Sequence, residues 1–173
     1  MQASPKNNRN WQNLIGEFQH NSDRSVAILG TAYLQNYLGR LLSNFFISDS
    51  QNTNELLLQR GALSTFDTRI RAAYALGLIS SNEFNDLLQI MHIHNIFLNE
   101  LDISKFTDES LRQHCSQLRI PREILLPEET VTPRRLFVFA VALLSGQLIW
   151  RSEQAENEQR AAPENFILVD MEP

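Results

Sequence analysis

Apolar residues recur along much of this chain at spacings of three and four. Between Asp23 and Ile47 they are Val26, Leu29, Tyr33, Leu34, Tyr37, Leu38, Leu41, Leu42 and Phe45, the period of an amphipathic helix with Ser22 or Asp23 as its N-cap. A short helix is expected near Glu55–Gln59. Ser64 or Thr65 opens another that runs to about Leu76, offers Ile70, Ala73, Tyr74 and Leu76 for burial, and stops at Gly77. Ser80-Ser81-Asn82-Glu83 has the form of a capping box, in which Ser80 and Glu83 satisfy each other's backbone N–H groups. The helix it starts should reach about Leu98, with Phe84, Leu87, Leu88, Met91 and Phe97 along its buried stripe. A further short helix is expected from Thr107 to near Leu118. Pro121, Pro127 and Pro133 then mark a loop, and Thr132-Pro133 signals the start of a long apolar helix through Arg151.

No stretch alternates apolar and polar residues for long enough to predict a strand, and no internal repeat is present. The fold class is therefore all-α, a single-domain irregular multi-helix bundle built mainly from 23–47, 65–77, 81–98 and 133–151. At 173 residues, with 43% hydrophobic side chains, the chain is long enough to bury one core. Three segments follow: a polar N-terminal segment with a short helix (1–22), the helical domain (23–152) and an acidic tail (153–173). Met1–Asn10 lacks a secretory signal pattern. The longest nearly apolar run, Leu136–Trp150, falls short of the ~20 residues that span a bilayer. Cys115 is the single cysteine, so no internal disulfide can form. Together these features predict a soluble cytoplasmic protein without membrane association.

Charge sharpens the functional picture. The tail holds six acidic groups against Arg160, which leaves residues 1–152 balanced at 14 basic and 14 acidic. Such a body lacks the positive field that supplies most affinity for nucleic acid. The corner Leu76-Gly77-Leu78-Ile79 between two helices has the local form of a helix-turn-helix. From Ala72 to Ser104, however, there is no Lys or Arg, while Glu83, Asp86, Glu100 and Asp102 are present. A recognition helix of that composition repels phosphates, so direct DNA binding is not expected. Arg69 and Arg71 precede the corner but point about 160° apart on a helix, and so form no common basic face.

Other chemistry is equally thin. His92 and His94 differ by two residues and diverge by about 200° on a helix, and His114 and Cys115 are neighbours that also diverge. Neither pair has metal-ligand spacing, so no metal is expected. Gly30, Gly39, Gly61, Gly77 and Gly146 are scattered and build no phosphate loop, and no nucleophile elbow is present. No cofactor and no enzymatic activity are expected. The Phe166-Ile167-Leu168-Val169 segment of the tail could dock on the body or on a partner.

Several segments together resemble the mannitol operon repressor (MtlR-like) family: Asp23-Arg24 leading into Ala27–Gly30 and Ala32–Leu34, then Arg69–Ile79, the 90–99 segment and the late helix with Phe139–Leu144. The resemblance spans about Asp23 to Trp150. It implies a compact helical regulator that represses sugar-alcohol uptake genes without a DNA-binding domain of its own, and so acts through another protein, expected to be a transcription factor. Self-association through the wide apolar stripe of 133–151 is left open.

A weaker similarity joins 90–99 to the HEPN superfamily, whose ribonucleases carry Arg-Asn-x-x-x-His near a helix end. Here the arginine position is His94, Asn95 matches, and the histidine position is Asn99. An amide at 99 cannot exchange a proton, so this alternative is a degenerate RNA-binding or RNase module with cleavage lost. His94, Asn95 and Asn99 are accordingly the candidate interaction positions, with a helix C-terminal cap as the ordinary alternative for the two asparagines.

Overall fold

The computed structural model describes residue 16 and residues 18–47, 50–103, 105–124, 131–159 and 161–162. Seven helices are defined among these residues, and none of them forms a strand. The helices are α1 (Asp23–Phe45), α2 (Ser50–Leu57), α3 (Phe66–Ala75), α4 (Ser81–Asn99), α5 (Glu109–Ser116), α6 (Ile120–Ile124) and α7 (Pro133–Asn157).

The centre of the bundle is α1 packed along α7, with α3, α4 and α5 arranged around the pair. Val26, Leu34, Leu38, Leu41 and Leu42 of α1 are fully buried, as are Phe137, Ala140 and Val141 of α7. Gly30 sets how closely the two helices approach: a Cβ there would lie 3.1 Å from Val141 Cγ2 and 3.2 Å from the Phe137 ring. A side chain there would require Val141 and Phe137 to give by a few tenths of an ångström. At the far end of the pair, Asn44 Nδ2 donates to both the carbonyl and the hydroxyl of Ser152, each at 3.0 Å. By length and composition α7 could cross a bilayer, yet half of its most apolar window is buried inside the bundle.

The local start and stop signals form as the sequence predicts. Ser22 caps α1, Thr65 caps α3 and Thr132 caps α7, with Pro133 in the first turn. The capping box at α4 is complete, with Ser80 N donating to Glu83 Oε2 at 2.6 Å and Glu83 N donating to Ser80 Oγ at 3.3 Å. Gly77 has φ of 72°, in the left-handed region that glycine enters without a Cβ penalty, and Leu78 N reaches back to Ala73 O at 2.9 Å.

Five details differ from expectation, the first being that α2 (Ser50–Leu57) begins five residues before the short helix expected at Glu55–Gln59. Tyr74 and Leu76 are each 42% exposed; Tyr74 stacks one ring face on Phe84 of α4 at 4.5 Å. The cap of α5 is Asp108 in place of Thr107. A short helix, α6, stands where prolines suggested loop: the buried carboxylate of Asp86 accepts Arg119 N at 2.8 Å and Ile120 N at 2.9 Å, which fixes its start. Finally, α7 continues past Arg151 to Asn157. The tail segment 166–169 lies outside the described residues.

Candidate interaction surface

Arginines that look like surface charge in the sequence are turned inward. Arg24, in the first turn of α1, donates to Phe97 O, to Glu100 O and Leu101 O at 3.2 Å each, and to Ile103 O at 2.6 Å. It thereby satisfies carbonyls that the end of α4 leaves open. Asp23 beside it accepts Phe106 N at 2.8 Å and pairs with Arg134, whose guanidinium also reaches Phe18 O at 2.7 Å and Asn21 O at 2.8 Å. Arg69 binds Leu63 O, Gln35 O and Leu57 O, each at 2.8 Å, and burial lowers its pKa. Arg71 points the other way, onto Asp67 at 3.0 Å. Arg151 ties Glu83 at 2.9 Å to Leu78 O at 2.6 Å. The guanidiniums of Arg24, Arg69, Arg134 and Arg151 hold separate segments together, whereas Arg71 stays exposed on its own helix.

Helix α4 therefore offers an uncharged outer face held on a rigid end. Along its last turns Asn95 and Asn99 are exposed one turn apart, and His94 is half-buried beside them with its Nδ1 3.3 Å from Asn95 Oδ1. Leu98 is 49% exposed and Leu101 84% exposed, the latter between the exposed Glu100 and Asp102. Sequence reasoning placed the three polar positions but not the two leucines. Leu101 follows the helix end, where period no longer tells which way a side chain points.

On the other flank of His94 and Asn95 lies an open cleft of about 500 Å³ between α1, α3 and α4. Thr31 and Gln35 of α1, Thr65 and Asp67 at the start of α3, and Gln59 line it, with Phe66 and Met91 as its apolar part. No Lys or Arg is among its lining residues. Thr31 Oγ1 is buried and without a hydrogen-bond partner. A phosphodiester in this cleft would find no cation, and Asn99 is not among the residues that line it, so the geometry does not assemble the chemistry of RNA cleavage.

One pairing escaped the sequence altogether. His92 and His114, on different helices, stack at 5.6 Å, and His114 Nδ1 lies 2.8 Å from Gln89 Oε1. Burial, and secondly the neighbouring His92, lower the His114 pKa. Cys115 is fully buried, and desolvation, with a smaller effect from Asp23, pushes its thiol up to about 12. Among the described residues no group of three or more His, Cys, Asp or Glu converges as metal ligands.

Comparison with known proteins adds the lineage. The fold is similar to a chain of the X-ray structure of the MtlR–HPr complex from Escherichia coli, with TM-score 0.66 and 18% identity over 82% of this chain and 97% of that one. It is also similar to a possible transcriptional regulator, YggD from Shigella flexneri, with TM-score 0.61 and 14% identity over 82% and 95% of the two chains. No curated protein matches significantly. Residues 19–148 match the family model described as Mannitol repressor. The match takes in Asp23, Arg24, Arg69 and Arg134, the residues that lock this bundle, and the chain belongs to the mannitol repressor family.

Proposed function

We propose that this chain is a non-enzymatic cytoplasmic regulator that represses transcription by docking on another protein, with a transcription factor carrying the effect to DNA. The observation that supports this most is the inward use of Arg24, Arg69, Arg134 and Arg151, which removes cations from the surface of a body already balanced in charge. Phosphate contacts dominate protein–DNA affinity, and a helix without Lys or Arg cannot supply them. The partner-facing surface is the outer end of α4, where Asn95, Leu98, Asn99 and Leu101 combine apolar area with uncharged hydrogen-bonding groups, a composition suited to an interface core. HPr is the first partner to test, since the similar E. coli fold is seen in a complex with it.

Calorimetry of the purified chain with HPr from the same organism, beside a promoter gel shift, tests the reading. The expected result is a protein complex that Leu98→Arg and Leu101→Arg abolish while helicity is unchanged, with no DNA shift by the chain alone. A salt-sensitive, sequence-specific shift without any second protein would overturn it.

A further inference from the structure

We propose that the cleft between α4 and the corner from α5 to α6 binds a phosphoryl dianion, as inorganic phosphate or a small phosphate monoester, between the guanidiniums of Arg119 and Arg122. The cleft has a volume of about 490 Å³, within the ~300–1,000 Å³ range of small-molecule sites. Arg119 and Arg122 stand one turn apart, with Arg122 N donating to Arg119 O at 3.0 Å, and both are exposed and line the cleft. Among the described residues no Asp or Glu lines it. Like charges one turn apart repel, and an anion held between them replaces that repulsion with charge-assisted hydrogen bonds.

These two arginines differ from those described above. Arg24, Arg69, Arg134 and Arg151 spend their N–H groups on other segments, and Arg71 and Arg112 pair with acids on their own helices. Among the described residues no carboxylate pairs with the side chain of Arg119 or Arg122. Asp86 is buried behind them, with its two oxygens on the backbone amides of Arg119 and Ile120 at 2.8 and 2.9 Å. Its single charge balances at most one of the two guanidiniums.

The opposite wall supplies neutral donors. Asn85 and Gln89 are four residues apart on α4 and so share a face. Gln89 Oε1 accepts from His114 Nδ1 at 2.8 Å, which leaves its Nε2 donors for a ligand oxygen. Amide donors on one side and cations on the other match a group with three acceptor oxygens and a charge near about −2. Leu118 is the one apolar residue in the described lining, so the site does not suit a hydrophobic ligand. A nucleic acid draws its affinity from many phosphates contacted in series, whereas here one pair of cations is bordered by neutral amides. A bound dianion would tie α6 to α4 a second time, beside the Asp86 contact.

The test uses the isolated full chain at a fixed ionic strength of about 0.15 M, so that screening is the same throughout and no partner protein is needed. Calorimetry with inorganic phosphate and with adenosine 5′-monophosphate should show saturable binding of at least one, and amide exchange at residues 119–122 should slow as the site fills. Arg119→Gln and Arg122→Gln should each weaken binding about tenfold, and Asn85→Leu by a smaller factor, while Arg71→Gln leaves it unchanged. Both variants at 119 and 122 should leave the free protein as stable as before or more so, because each removes one of two like charges; a loss of binding is then separate from a loss of fold. Dimethyl phosphate, which carries a single charge, should bind more weakly than the dianions. Tighter binding of the nucleotide assigns the ester, and equal or tighter binding of phosphate assigns the free ion. No saturable binding of either compound, binding indifferent to both arginine variants, or tighter binding of tetraglutamate than of both phosphates would overturn the proposal.

Discussion

The two ends of α4 are closed by different means. At its start, Ser80 and Glu83 satisfy each other within one turn, with Arg151 joining from α7. At its finish the local bonds are only Glu100 N to Ile96 O at 2.9 Å and Ile103 N to Glu100 O at 3.3 Å, and the guanidinium of Arg24, more than seventy residues earlier, gathers the carbonyls of Phe97, Glu100, Leu101 and Ile103. The first end is fixed by local chemistry and would persist in a loosened bundle. The second exists only when α1 and α4 are docked, so the surface assigned to a partner is a tertiary construction.

Four experiments sharpen that contrast. Replacing Arg24 with Met should have the largest effect, a loss of about 2 kcal/mol in urea denaturation, because several charge-assisted bonds go together and the part-buried carbonyls of Phe97 and Ile103 lose their donor. Amide exchange should speed up across 100–106, and Arg24→Lys should recover only part, since an ammonium cannot span the same fork of acceptors. Ser80→Ala, at the other end, should cost about 1 kcal/mol, the ordinary value of an N-cap. If the two losses were equal, the distinction drawn here would fail.

A smaller effect depends on pH. The folded pKa of His114 is lowered, mainly by burial, so its contribution is complete above the ordinary histidine value. That contribution is lost as pH falls below this value, because the unfolded chain takes up the proton first. Urea midpoints measured at decreasing pH should show a decline that His114→Gln flattens. Least of all for stability, Leu101→Arg should move the midpoint by no more than about 0.5 kcal/mol, since 84% of that residue faces solvent. A large loss there would show that Leu101 supports the fold and not a docking face.

What could be read from the sequence follows the same division. The capping box at Ser80, the stop at Gly77 and the Thr132-Pro133 start all depend on residues within a few positions of one another, and all formed as expected. Arg69 and Arg71 were separable by helical angle alone, but that Arg69 would meet Gln35 and Leu57 could not be deduced from spacing. The stacking of His92 on His114 was hidden for the same reason. Tyr74 and Leu76 show the converse limit: period identifies a face, but how far a neighbouring helix covers it depends on where the chain turns. His94, Asn95 and Asn99 were singled out from a family pattern, and their place along the last turns of α4 follows from the capping box and the helical period.

The carboxylate of Asp86 has one more implication. A five-residue helix cannot hold itself together in water, and α6 begins on two amides that this single side chain grips from α4. The short helix is thus a dependent of the long one. Any rotation of α4 that withdrew Asp86 would uncap α6 while leaving its packing on α7, so the amides of Arg119 and Ile120 are natural gauges of whether α4 has moved when something binds at its opposite end.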